Sequence, residues 1–246
     1  MEKKQAIEDQ CTLLCTYRSL ISKGKLVSPT DRLRLHGTIA ELYLDYFKSG
    51  RDIQGTSRHY LLQRQAQESF IQFNFDTKVV LESPSNYIGP AHLLKQAELY
   101  TTFYQAQLQN PRVLKMDMDG YVFQLSTTLC LTFRHHTIST LYPHMLGNKE
   151  FMQKVMGQQV SFQLQQVFHF DENHKVVYLC ASYDFASGWC KFLQNPRLVA
   201  QVLSDQKLKG VCIDLDERME SHHNTCVMQE KAKYLTMHAL MNPEVN

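Results

Sequence analysis

The residues of this chain that could do chemistry are dispersed. Its seven cysteines, Cys11, Cys15, Cys130, Cys180, Cys190, Cys212 and Cys226, include no C-x-x-C pair. An odd, scattered set with Cys130 and Cys180 inside strand-like runs reads as reduced thiols of a cytosolic or nuclear protein, not as a disulfide framework. The doublets His135-His136 and His222-His223 put neighbours on opposite sides of any regular element. Neither comes with the convergent Cys, His or carboxylate residues that zinc requires, so no metal and no cofactor is expected. There is no glycine-rich phosphate loop and no G-x-S-x-G elbow. The ionisable residues left to consider are Asp184, His169, Tyr104, Tyr121 and Tyr183. Asp184 ends a strand-like run, where a solvated carboxylate is the plain reading, and His169 falls in the polar register of its run. Tyr104 and Tyr121 lie on apolar faces, as core tyrosines whose hydroxyls find a partner do.

The elements that must position these residues are organised around Tyr121–Phe133, YVFQLSTTLCLTF. Its odd register, Tyr121, Phe123, Leu125, Thr127, Leu129, Leu131 and Phe133, is large and apolar; its even register is small and mostly polar. Thirteen residues of period two without Gly or Pro predict a long strand with its odd face buried. Such a strand must twist and curve, and helices must cover its concave side. Val113–Met118 with Asp119-Gly120 predicts a hairpin into it. Val160–Phe170 and Val176–Asp184 extend a meander of four antiparallel strands, the last with Val177, Leu179, Ala181 and Tyr183 on one face.

Helices are predicted from Ser28-Pro29-Thr30 to Ser49-Gly50, over 57–70, and over 90–108 behind Gly89-Pro90, with Asn110-Pro111 as the stop. Residues 134–159 interrupt the sheet, with Pro143 breaking one helix and Asn148 to Gly157 framing another; a connection this long reads as a lid or interaction element. Gly188–Leu193 and Pro196–Leu203 read as short helices. Before all of these, Ile7, Leu14 and Ile21 form a heptad ladder of an N-terminal helix. The domain boundaries implied are 1–29 for that helix, 30–213 for an α+β domain and 214–246 for a polar tail.

With 43% hydrophobic and 20% charged residues and a net charge of +2, the composition is that of a globular protein without a bulk field for nucleic acid or membrane. The start Met1-Glu2-Lys3-Lys4 predicts no signal peptide, and no apolar run approaches the roughly 20 residues of a membrane span. Nucleus or cytoplasm is the expected location.

The order helix, helix, short strand, Gly-led helix and long curved strands resembles the cone-shaped family named after nuclear transport factor 2, which includes the SnoaL-like cyclases and ketosteroid isomerases. Ile39–Phe47, Tyr87-Ile88-Gly89 with the helix behind it, and Val160–Tyr183 with its DENHK turn carry the likeness over roughly residues 33–186. The resemblance implies an α+β NTF2-like (SnoaL-like) cone, a curved antiparallel sheet wrapped around helices. It also implies a pocket between sheet and helices, for which Tyr104, Phe133, Phe162 and Tyr183 are the expected ligand-binding residues. Enzymes of this kind use an Asp or His base and a Tyr or Asp oxyanion donor, which is the role Asp184, His169 and the tyrosines would be asked to fill.

A narrower likeness rests on Thr132-Phe133-Arg134, Thr137-Ile138, Leu141-Tyr142-Pro143-His144, the run Lys154 to Val160, and Phe185 to Leu203. These segments are similar to the C-terminal domain of oomycete basic leucine-zipper (bZIP) transcription factors. The likeness implies a non-catalytic regulatory, dimerisation or small-ligand-sensing module, with the heptad ladder as a zipper remnant. Only Lys3 and Lys4 precede that ladder, too few for a basic region, so no specific DNA binding is expected from this chain alone. The alternative is a small cone-fold enzyme of the isomerase, cyclase or dehydratase type. The partners expected are a second copy or a related protein on the uncharged even face of the long strand, and a small apolar ligand. A monomer in sedimentation at micromolar concentration removes the dimer.

Overall fold

The structure is a computed structural model that describes Ser19 and residues 28–82, 87–117, 119–204, 208–209 and 212–213. The chain divides into two compact units, 1–212 and 213–246, and among the described residues the first holds the helices and the main sheet. The Ile7–Leu14–Ile21 ladder and the polar tail lie outside the described residues.

Helix α1 (Pro29–Phe47) starts where the sequence places it. Ser28 Oγ accepts from the Asp31 N–H at 3.1 Å, Pro29 takes the first turn, and Asp31 puts negative charge at the helix N-terminus. It buries Leu35, Ile39, Leu42, Tyr43 and Phe47. Helix α2 (Arg58–Asn74) runs directly into strand β1 (Phe75–Glu82). The Gln67 side chain, fully buried, donates from Nε2 to the carbonyls of Tyr46 and Gly50 and stitches α2 to the end of α1. Strand β2 (Tyr87–Ile88) leads to helix α3 (Pro90–Phe103).

Helix α3 is shorter than the 90–108 expected. It stops at Phe103, and Gln105–Met116 is strand β3, which corrects the sequence reading. Tyr104 has already turned to extended backbone, and Gln105 to Gln109 pair residue by residue with Thr132 to Thr128. Asn110-Pro111 interrupts a strand instead of ending a helix: Asn110 has φ 51° and the register slips between Gln109 and Arg112. β3 is an edge of the sheet, where a proline costs no ladder hydrogen bond.

Strand β4 (Val122–Thr132) is the long strand, and its odd face is buried as its pattern predicts: Phe123, Leu125, Thr127, Leu129 and Leu131 face inward while Gln124, Ser126, Thr128 and Thr132 stay partly exposed. Helix α4 (His135–Leu141), the 3-10 turn Pro143–Met145 and helix α5 (Lys149–Val155) follow. They are not a lid. Ile138, Leu141, Tyr142, Met145, Phe151 and Val155 are all buried, so this insertion is part of the core.

Strands β5 (Gln159–Phe170) and β6 (Val176–Tyr183) and helices α6 (Phe185–Leu193) and α7 (Pro196–Ser204) close the unit, with the two-residue strands β7 (Leu208–Lys209) and β8 (Cys212–Ile213) beyond them. The main sheet has the order β2-β1-β6-β5-β4-β3. β3 to β6 are the antiparallel meander, but β1 joins β6 in parallel, so the sheet is mixed. On β6 a register slip opposite Phe170 turns Val176, not Val177, into the core. The architecture is the α+β cone: a curved sheet with its inner face closed by helices. One end of that face packs on α1 and α2 through Phe123, Leu125 and Phe168. Toward the other end, Phe133, Tyr142, Phe151 and Phe162 surround the buried indole of Trp189 at ring-centre distances of 5.1 to 6.1 Å.

Candidate functional site

Between these two packed regions the sheet and helices do not meet, and a cavity of about 130 Å³ remains. Its floor is the inner face of the sheet, with Leu129, Leu164, Gln166 and Leu179; its helical walls come from Tyr43 and Phe47 of α1 and from Leu93, Ala97 and Tyr100 of α3. Tyr183, at the end of β6, completes one side. Lys48 and Glu82 are the lining residues with a formal charge, and both are exposed, so charge stays at the mouth.

The helical wall is held in place by a buried arginine that pairs with two carboxylates. Arg51, just past α1, is 6% exposed and donates from Nε to Glu98 of α3 at 2.8 Å and from Nη2 to Glu68 of α2. Its backbone N–H donates to Thr101 Oγ1, and the Leu108 N–H donates to the Lys48 carbonyl at 2.7 Å, which ties β3 to the end of α1. Gly50 lies at φ 71°, and a Cβ there would collide with the Thr101 side chain. The mouth is therefore framed by a fixed corner.

Inside, the polar groups are few. Gln166 is 4% exposed and stands on the inward register of β5 between Leu164 and Phe168. Its Oε1 is closed off and has no hydrogen-bond partner among the described residues. The Tyr43 ring is fixed edge-on to Phe168 at 5.4 Å and against Phe47 at 5.0 Å. Burial pushes the Tyr43 phenol well above its ordinary range, against a smaller opposing effect of Gln166, so it stays neutral. Glu82 turns its carboxylate to the outer side of the sheet, where it accepts from the Tyr178 hydroxyl. Bonds from Cys180 first, and then Tyr178, hold the Glu82 carboxyl below the usual range. The Cys180 thiol is pushed up to about 11, by burial first and then by Glu82.

Of the four residues expected to bind a ligand, Tyr183 lines the cavity. Tyr104, Phe133 and Phe162 do not; they belong to the aromatic packing around Trp189. Tyr104 and Tyr142 share a hydrogen bond between their hydroxyls at 3.2 Å with no exposure. Burial raises both phenols, so they are a satisfied structural pair. Asp184 caps α6, accepting from the Ser187 N–H at 2.9 Å. His169 lies edge-on to Tyr178 on the outer side of the sheet, and Tyr121 sits beneath the Arg32 guanidinium at 4.4 Å. These candidates are not brought together. Among the described residues, no three His, Cys, Asp or Glu side chains are placed to hold a metal ion, and no helix is long and apolar enough to cross a membrane.

Sequence reasoning passed over Gln166 and Tyr43. The signal for Gln166 was present: in VSFQLQQVFHF it is the polar residue in a register otherwise filled by Val160, Phe162, Leu164, Phe168 and Phe170. His36 was also missed. It is fully buried, stacked on Phe170 at 3.9 Å, with Nε2 2.9 Å from His174 Nδ1.

No family model and no curated protein matches the chain. Several solved structures are similar to it. A proposed polyketide cyclase of Xanthomonas campestris pv. campestris is 13% identical, with 68% of this chain and 99% of that one covered at a TM-score of 0.45. A SnoaL-like polyketide cyclase of Agrobacterium tumefaciens is 13% identical over 61% of this chain and 91% of that one, at a TM-score of 0.40. An NTF2-like protein from Exiguobacterium is 12% identical over 59% and 98%, at a TM-score of 0.37. Similarity at this level assigns no activity to the chain.

Proposed function

We propose that the chain binds a small, mainly apolar molecule in the cavity between α1, α3 and the sheet. The observation that carries this reading is the cavity itself, walled by Leu93, Leu129, Leu164 and Leu179 and the rings of Tyr43, Phe47 and Tyr100, with its formal charges confined to exposed residues. Of the two roles expected from the sequence, the small cone-fold enzyme of isomerase, cyclase or dehydratase type fits better than the zipper-related regulator. What it needs first, an apolar pocket between the sheet and the helices, is present.

The test is calorimetric titration with p-xylene, an apolar single-ring probe. Saturable one-to-one binding is expected, and it is lost in Ala181→Phe, which fills the cavity from β6 while near-ultraviolet circular dichroism reports an intact fold. Absence of binding, or binding unchanged in Ala181→Phe, removes the proposal.

A further inference from the structure

We infer that two copies of this chain pair through helix α2, antiparallel and about a two-fold axis, on a surface independent of the cavity. The helix has a solvent-facing side without the charges that such a side usually carries. Gln67, Phe70, Ile71 and Asn74 of α2 are buried against the rest of the fold. On its open side lie Leu61, Leu62, Gln65, Ala66, Ser69, Gln72 and Phe73, with no charge among them, and Leu62 and Phe73 are 54% and 60% exposed. The charged residues within the helix are engaged elsewhere: Glu68 accepts from Arg51, and Arg64 donates to the Ile53 and Gly55 carbonyls at 3.0 Å. Apolar side chains scattered singly over a surface are ordinary; a row of them on one uncharged helix face marks a contact surface.

The order of residues in that row fits a second copy. Leu62, Ala66, Ser69 and Phe73 follow at i, i+4, i+7 and i+11, a single stripe that reads large, small, small, large. Turned end for end about a point between Ala66 and Ser69, the stripe meets itself. Leu62 then lies against Phe73 of the second copy and Ala66 against Ser69, each contact occurring twice, which is the self-complementarity a two-fold interface needs. The small central pair lets the two axes approach to the about 8–10 Å of packed helices. The ends agree. α2 carries Arg58 and His59 in a first turn without an acidic residue, and Asp76 just beyond a last turn without a basic one. Each end bears the charge that the helix dipole disfavours; in the antiparallel pair Arg58 comes opposite Asp76 of the second copy, twice. The contact is one helix of 17 residues, at the low end of specific interfaces, which begin at about 1,000 Å² in total. A reversible dimer in the micromolar range is therefore expected.

The test is sedimentation velocity of the full chain from low micromolar to submillimolar concentration, where the unmodified protein is expected to pass reversibly from monomer to dimer. Leu62→Lys and Ser69→Arg, both at exposed positions, are each expected to weaken the dimer at least tenfold, with near-ultraviolet circular dichroism unchanged. Thr128→Lys with Gln165→Lys, on the outer face of the sheet, is expected to leave it as it was. Arg58→Glu and Asp76→Lys each weaken the homodimer, and a mixture of the two restores association, because both end contacts of the mixed dimer then join opposite charges. A monomer at every concentration overturns the proposal, and a lower melting temperature of Leu62→Lys in that case assigns the face to the chain's own residues. A dimer lost in the sheet variant and kept in the α2 variants also overturns it and moves the contact to the sheet. A mixture that associates no better than its components overturns the antiparallel arrangement.

Discussion

Leu129 and Thr128 are adjacent in the chain and have opposite surroundings. Leu129 is 4% exposed on the inner face of β4, while Thr128 lies half-buried on the outer face. Leu129→Ala is expected to destabilise the fold by about 2–5 kcal/mol, the range for a core leucine. The lower end is favoured because the cavity already borders its side chain. Thr128→Ala should change stability by no more than about 0.5 kcal/mol. Equal shifts of the two midpoints in a urea titration would mean that the register is reversed. At this scale the inward face of β4 was legible because a period of two leaves only two choices. Which inward side chains meet a void was not. Phe133 and Phe162 point inward as expected, yet they are covered by Trp189, brought there by a helix that starts more than fifty residues after Phe133. Burial follows local pattern; emptiness depends on packing between distant segments.

Among the elements, those with chemical punctuation were read correctly. Ser28 and Asn148 cap their helices, Pro90 opens α3, and Gly157 at φ 72° ends the turn after α5. Where the punctuation was ambiguous the reading slipped. Gln105 to Asn110 carries Ala106 and Leu108 at a spacing of two, too short a stretch to outvote the helix before it, and Asn110-Pro111 serves equally as a helix stop or an edge-strand bulge. The parallel pairing of β1 with β6 has no local signature. The insertion after β4 looked like a lid because of its length, although its apolar residues recur at helical spacing and Ile138, Leu141, Met145, Phe151 and Val155 find the core. Its second helix provides the test at this scale. Asn148 Oδ1 accepts from the Phe151 N–H at 3.0 Å, and α5 delivers Phe151 and Val155, both fully buried. Asn148→Ala is expected to cost about 1 kcal/mol, the usual worth of such a cap, and Asn148→Asp to restore most of it. Thermal unfolding that leaves Asn148→Ala level with the unmodified protein would show that α5 is held by packing alone.

For the molecule as a whole, the strongest coupling of distant segments to solution conditions runs through His36. Its Nδ1–H donates to the Gly120 carbonyl and its Nε2 accepts from His174, so one imidazole joins α1 to the β3–β4 turn and to the β5–β6 turn. That arrangement requires the neutral ring. A proton on Nε2 would face the His174 N–H, and Arg32 adds further repulsion. Burial is the largest cause, with His174 and Arg32 adding to it against the opposing Gly120 bond and Asp117, and the pKa of His36 falls from 6.5 to about 4. His174 is shifted in the same direction, by burial first and then Arg32, with Asp171 opposing. Since the folded protein resists a proton that the unfolded chain accepts, the stability contributed by neutral His36 is complete above pH 6.5. It is lost as pH falls toward about 4 and is constant below that. With each pKa unit worth about 1.36 kcal/mol, the loss between pH 7 and pH 5 is about 2 kcal/mol as an upper limit. Carboxylates titrate mostly below this interval, which makes it the clean window. His36→Phe keeps an aromatic ring against Phe170 and gives up the Gly120 bond, so it is expected to be less stable at pH 7 but to lose much less on going to pH 5. Urea midpoints of the two proteins at both pH values decide the matter: parallel losses would place the acid sensitivity elsewhere in the fold, and a flat response in the unmodified protein would mean that His36 is readily protonated where it stands.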